Sequence, residues 1–204
     1  MPDDPGADES DYLNEDFEAA DLRGRSYSGG SFERCNFTDA ALEEVTTVGV
    51  TFTDCTFDRA ELTGSHHTRS AFLNCSFVRA GLRNVTFDGC KLTGSTFFQS
   101  RMRPLTVRGG DWSYVSLAEA NLAGLDFSEV RLRGANLTST NLTGAILRNA
   151  DLREARTGSV VLAGADLRGA RLEGLDPRRA DLQGALVDLA HALAFGQIFG
   201  VIID

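Results

Sequence analysis

No run of about 20 apolar residues, the length a membrane helix needs, occurs in this chain of 204 residues. The first 21 residues contain no Lys or Arg. The basic start and apolar stretch of a secretory leader are therefore missing, and the chain is expected to be cytoplasmic. Cysteine is scarce. Cys35, Cys55, Cys75 and Cys90 fit neither CxxC metal pairs nor a dense disulfide framework, and buried small thiols are the simpler account. No HExxH zinc motif, GxSxG nucleophile elbow or phosphate-binding loop is present. His66 and His67 have no partner at metal spacing. No catalytic, metal or cofactor residue is assigned, and the chain is not expected to be an enzyme.

Charge is plentiful but lopsided. The net charge is −9. Residues 1–62 hold 16 acids against 4 bases, whereas 63–204 hold 13 acids against 16 bases. The acidic end should repel nucleic acid, so no direct nucleic-acid binding is expected, and it could attract a basic DNA-handling surface.

What the sequence has in abundance is repetition. Stepping by five from Tyr12 to Val187 visits 36 positions, of which 32 are Leu, Phe, Tyr, Trp, Met or Val. Only Thr47, His67, Thr157 and Pro177 break the series. Two residues earlier runs a second register of Ala, Cys, Ser, Gly, Thr or Val, which contains all four cysteines. A period of five suits neither an α-helix nor a flat strand. It suits a backbone that turns a corner every five residues, with one large and one small side chain pointing inward. Glycines such as Gly64 and Gly144 lie two residues after the large centre, where a corner needs permissive backbone angles. The Asp and Asn residues just before the central Leu, such as Asn141 and Asp151, are expected to hydrogen-bond the corner backbone.

Segments such as Ala20-Asp21-Leu22-Arg23-Gly24, Ala150-Asp151-Leu152 and Ala165-Asp166-Leu167 resemble the A(D/N)LXX motif of pentapeptide-repeat proteins. The resemblance implies an all-β fold: a right-handed quadrilateral β-helix with four pentapeptides to a coil and about nine coils. In blocks of twenty, Phe17, Phe37, Phe57, Phe77 and Phe97 fall on one face as a structural core ladder.

Three segments are expected. Residues 1–11 read as a disordered acidic tail. Residues 12–187 form the β-helix, with a rough first coil because Glu15 and Arg25 occupy small inward positions. Residues 188–204 read as a C-terminal helix and dimerisation cap, with Asp188 as N-cap. Leu189, Leu193, Phe195, Ile198 and Phe199 are more apolar than a solvated tail tolerates, which favours burial against a second copy over a monomeric cap.

The stretch Arg101-Met102-Arg103-Pro104-Leu105-Thr106 and the terminus from Asp181 to Phe195 resemble the mycobacterial MfpA branch of the family, which is related to the Qnr proteins. Qnr proteins carry projecting loops, and no insertion here could form them. The resemblance implies a dimeric rod that imitates duplex DNA, binds DNA gyrase, modulates or inhibits it and protects it from fluoroquinolones. The candidate partner-binding acids are Glu33, Asp39, Glu43, Glu44, Asp54, Asp58 and Glu61. The alternative is an interaction scaffold of the same fold with an unrelated protein partner.

Overall fold

The computed structural model describes residues 8–202. Its backbone is a parallel β-solenoid followed by one short helix. The strands are β1 (Asp11–Leu13), β2 (Ser26–Ser28), β3 (Ser31–Glu33), β4 (Thr46–Val48), β5 (Thr51–Thr53), β6 (His66–Thr68), β7 (Ala71–Leu73), β8 (Val85–Asp88) and β9 (Leu105–Arg108). They form two sheets, β1-β3-β5-β7 and β2-β4-β6-β8-β9, paired in parallel with residues 20 apart in register. Strand pairing thus spans about five turns of the five-stranded sheet. Isolated bridges at the same spacing continue it to Asp166↔Leu186.

One coil, taken from Val50 to Arg69, shows four sides centred on Phe52, Phe57, Leu62 and His67. The Phe52 and His67 sides carry the two sheets. The Phe57 and Leu62 sides are bridged turns at Thr56↔Ser76 and Glu61↔Gly81. Local chemistry explains the difference. The strand sides are rich in Ser and β-branched residues, such as Thr46-Thr47-Val48, which fit a pleated surface. Many turn sides begin with Asp or Asn, whose carboxyl or amide oxygen accepts the N–H two residues on, as in Asn36 from Thr38 at 3.0 Å and Asn141 from Thr143 at 3.0 Å. The corner that follows needs φ > 0. Gly144 supplies it at 63°, and Asp39 adopts it at 57°.

The core is a set of side-chain columns. Phe17, Phe37, Phe57, Phe77 and Phe97 stack with successive centroids 4.9, 4.8, 4.8 and 4.6 Å apart. Tyr12, Phe32, Phe52 and Phe72 form a second stack at 4.7, 4.9 and 4.7 Å. The two meet edge to face, as at Phe52–Phe57, 5.5 Å. Phe37, Phe57, Phe77 and Phe97 are buried, whereas Phe17, at the open end of its column, is only partly covered. Beyond Trp112, which meets Phe127 edge to face at 5.7 Å, the columns are mostly leucine.

The small register does more than leave space. Its thiols and hydroxyls donate to the backbone carbonyl 23 residues back: Cys55 to Phe32 at 3.3 Å, Ser95 to Phe72 at 2.9 Å and Thr140 to Leu117 at 2.8 Å. All four cysteines are free and buried. Burial pushes the Cys90 thiol up to about 11.

His67 is a packed core residue. Its Nδ1 lies 2.9 Å from the Thr47 hydroxyl and its Nε2 3.0 Å from that of Ser65. Burial holds its pKa down at about 3, so the ring is neutral, one nitrogen donating and the other accepting.

Both ends depart from the sequence expectation. Residues 1–7 of the expected acidic tail lie outside the described residues, but Asp8 pairs with Tyr27, and its carboxylate accepts the Tyr12 hydroxyl at 2.6 Å. Glu15 and Arg25 do not roughen the first coil, because both side chains are exposed. Their carbonyls accept the N–H groups of Asn36 and Thr46 at 3.0 Å, as in any other coil. Helix α1 (Leu189–Ile198) follows Asp188, but Asp188 makes no side-chain cap bond. Its Oδ2 instead accepts the Gly169 N–H at 2.6 Å. In the preceding coil the equivalent N–H, that of Asn149, goes to the Arg168 carbonyl at 3.1 Å. Asp188 is thus the N-cap by backbone, its carbonyl accepting the Ala192 N–H at 3.0 Å, while its carboxylate closes the last coil.

Candidate functional site

Five residues to a side and twenty to a coil decide where each expected acid lies. Glu33 and Asp54 fall on the Phe52 side, Asp39 and Asp58 on the Phe57 side, and Glu43, Glu44 and Glu61 on the Leu62 side. The last two sides adjoin. They gain Asp16, Glu18 and Asp21 from the first coil, acids that register reasoning could have added. Carboxylates thus recur along one edge of the first three coils, at about 4.8 Å per step. The axial rise between phosphates on one DNA strand is about 3.4 Å.

Several of these charges are already matched. Arg59 chelates Asp39 from the next coil, with Nε and Nη2 2.8 and 2.7 Å from its two oxygens, and this holds the carboxyl below its usual range. Glu33 pairs with Arg34. Asp58 accepts the Ser76 hydroxyl at 2.5 Å and the Val78 N–H at 3.0 Å. Arg23 holds Asp21 down at about 2. Glu43, Glu44 and Asp54 have no cationic partner among the described residues. One carboxylate oxygen of Glu43, Oε2, is buried without a hydrogen bond.

Glu61 shows what the charge count concealed. It reaches two coils along the solenoid to Arg101. Gly81 stands between them in the same row, and a Cβ there would sit 1.8 Å from Glu61 Oε2. The missing side chain is what lets the acidic end and the arginine-rich middle meet. The sequence carried the signal, since 61, 81 and 101 are one register, but only if rows are read two coils at a time.

The opposite end is apolar. Helix α1 has no buried residue. Leu189 is 75% exposed, Phe199 60% and Ile202 89%, with Leu193 and Ile198 also exposed. Phe195 alone among the five expected contact residues leans on the end of the core, beside Leu182, Ala185 and Val187. A helix apolar on nearly every face and left in water has surface that burial would stabilise.

Among the described residues no group of three His, Cys, Asp or Glu side chains could hold a metal ion, and no helix is long and apolar enough to cross a membrane.

The family described as Pentapeptide repeats matches the chain in eight copies, over residues 35–66, 55–94, 108–156 and 161–192. No curated protein sequence matches. Among solved structures, a trypsin-treated form of QnrB1, a plasmid-mediated fluoroquinolone resistance protein, superposes with TM-score 0.85 at 20% identity, covering 95% of this chain and 97% of that one. Full-length QnrB1 gives TM-score 0.84 at 20% identity, over 94% and 98% of the two chains. At that identity the likeness establishes the solenoid fold.

Proposed function

The chain belongs to the pentapeptide-repeat family, and on that premise we propose that it is a cytoplasmic, non-enzymatic DNA mimic that binds DNA gyrase, modulates or inhibits it, and protects it from fluoroquinolones. The observation that carries this reading is the acidic edge formed by the Phe57 and Leu62 sides of the first coils. Carboxylates stepped along a rigid rod can replace phosphates in a groove lined by Lys and Arg. The MfpA-like terminus supports the same reading. So does the fold shared with QnrB1, a fluoroquinolone resistance protein.

The exposed apolar terminus gives the rod a second function, as the contact of a homodimer through Leu189, Leu193, Phe195, Ile198 and Phe199. Two rods joined there would place their acidic edges at the two tips. Since Asp39 and Glu61 are matched by arginines, the free charge at each tip resides in Asp16, Glu18, Glu43, Glu44 and Asp58.

The test is DNA supercoiling by purified gyrase with ATP, titrated with this protein in the presence and absence of a fluoroquinolone. Inhibition or rescue should weaken in E43Q/E44Q and persist in D54N, which lies on another side. No effect of folded, dimeric protein on gyrase from its own host would sink the gyrase reading and leave a scaffold for an unrelated partner. Light scattering checks the dimer: L189D/F199D should be monomeric with an unchanged melting temperature.

A further inference from the structure

The 20-residue ladder breaks at one place late in the solenoid. On the Phe57 side, Leu137 N–H donates to the Arg156 carbonyl and Ser139 N–H to the Gly158 carbonyl, each 19 residues on. The following coil should repeat this from Thr157 to Asp176, but Pro177 turns the chain aside. It rejoins one residue late, with Ser159 N–H on the Arg179 carbonyl at 2.8 Å. Between the two strands of chain lies a notch of about 350 Å³, lined by Thr138, Arg156, Thr157, Gly158, Asp176 and Arg179 among others.

Several polar groups on its walls are donors without partners among the described residues. Thr157 N–H and Gly158 N–H have no acceptor among the described residues. Gly158 lacks one because Arg156 stands where Asn136 and Asp176 stand in the coils on either side, and those supply an oxygen to the N–H two residues on. The Thr157 hydroxyl makes no hydrogen bond to the described residues and keeps some exposure to solvent. The arginines point the same way. Of nine arginines from Arg131 to Arg179, seven lie within 4.0 Å of a carboxylate oxygen. The two that do not, Arg156 and Arg179, both line the notch. Arg179 Nη2 would lie 3.4 Å from a Cβ at position 158, so the guanidinium stands directly over the Gly158 backbone. Asp176 is the one acid on the wall, and its Oδ1 is already held by the Arg178 N–H and Nε, each at 3.0 Å.

Converging backbone N–H groups, a hydroxyl and two free guanidinium groups are the donor set that binds a tetrahedral oxyanion. We infer that this notch is a binding site for a phosphate group carried by a small molecule. The site is separate from the acidic edge and does not depend on the gyrase reading. A narrow notch suits a compact terminal phosphate.

Isothermal titration with inorganic pyrophosphate tests the site, using the full chain as purified. Saturable binding is expected, with the amide resonances of Thr157 and Gly158 among those that shift. R156Q/R179Q should weaken binding at least tenfold, since each lost charge-assisted hydrogen bond is worth about that factor. R103Q, an exposed arginine elsewhere, should leave it unchanged, and the melting temperature of each variant reports that it is folded. Absence of saturable binding, or equal loss in R103Q, would overturn the site. Displacement of pyrophosphate by a short DNA duplex would overturn the small-molecule assignment.

Discussion

The two halves of this solenoid keep one five-residue frame yet are built differently. Up to Leu73 two of the four sides are strands, one remains so to Arg108, and most large inward residues of this half are aromatic. From Gly109 to Leu186 every side but that of Pro177 is a bridged turn, most opened by an Asp, Asn or Ser, around a core that is mostly leucine. The first half gains from ring stacking, and the second from short-range hydrogen bonds that fix each corner locally. The frame therefore sets the coil, while the residues in it decide whether the coil is held mainly by column packing or by corner chemistry. Charge follows the same division. The N-terminal half presents carboxylates along an edge. In the second half Asp151 and Asp166 are each gripped by arginines on their own and neighbouring coils, which holds both carboxyls below the usual range.

The largest expected effect breaks the packing contrast directly. F57A removes a ring stacked 4.8 Å from each of two neighbours and should cost about 3–5 kcal/mol. L142A in the second half should fall lower in the range of about 2–5 kcal/mol. Urea denaturation measures both, and equal losses would erase the distinction between aromatic and leucine columns.

His67 sharpens the comparison through pH, since the second half has no buried histidine. A pKa held at about 3, below the ordinary 6.5, keeps the ring neutral in the fold. Its contribution to stability is complete above pH 6.5 and declines as pH falls toward 3, because the unfolded chain takes up the proton first. Between pH 6.5 and 5 the slope should steepen from roughly 0.7 to roughly 1.3 kcal/mol per unit, and it should be flattened in H67F. The urea midpoint across that window reads it, and parallel pH profiles for the two proteins would count against a neutral buried ring.

A smaller effect tests the corners. N141A removes the acceptor for the Thr143 N–H and its hydroxyl and should cost about 1 kcal/mol. N36A, on a turn side of the first half, should cost about as much, because turn sides are common to both halves. Thermal melts would show whether corner chemistry is indeed shared.

The smallest effect concerns the link between the acidic end and the middle. G81A pushes the flexible Glu61 carboxylate off its path to Arg101. Losing an exposed pair of this kind changes stability by no more than about 1 kcal/mol. A change in the Glu61 carboxyl chemical shift at fixed pH, with an almost unchanged melting temperature, is the expected outcome.

The repeat made the solenoid, its 20-residue coil and its inward columns legible in the chain, because a large residue every fifth position has only one way to be buried throughout. The Asp and Asn at the corners were legible too, since their hydrogen bonds reach only two residues on. Tertiary structure decided what depends on stacking one coil over another. It placed Arg59 on Asp39, carried Glu61 across Gly81 to Arg101, and turned the carboxylate of the N-cap residue Asp188 to the Gly169 N–H. It also opened the notch at Thr157, where Pro177 deflects a coil and leaves donors unpaired. These features join residues 19 to 40 positions apart through side chains whose reach and direction are set by packing, and no local pattern encodes that.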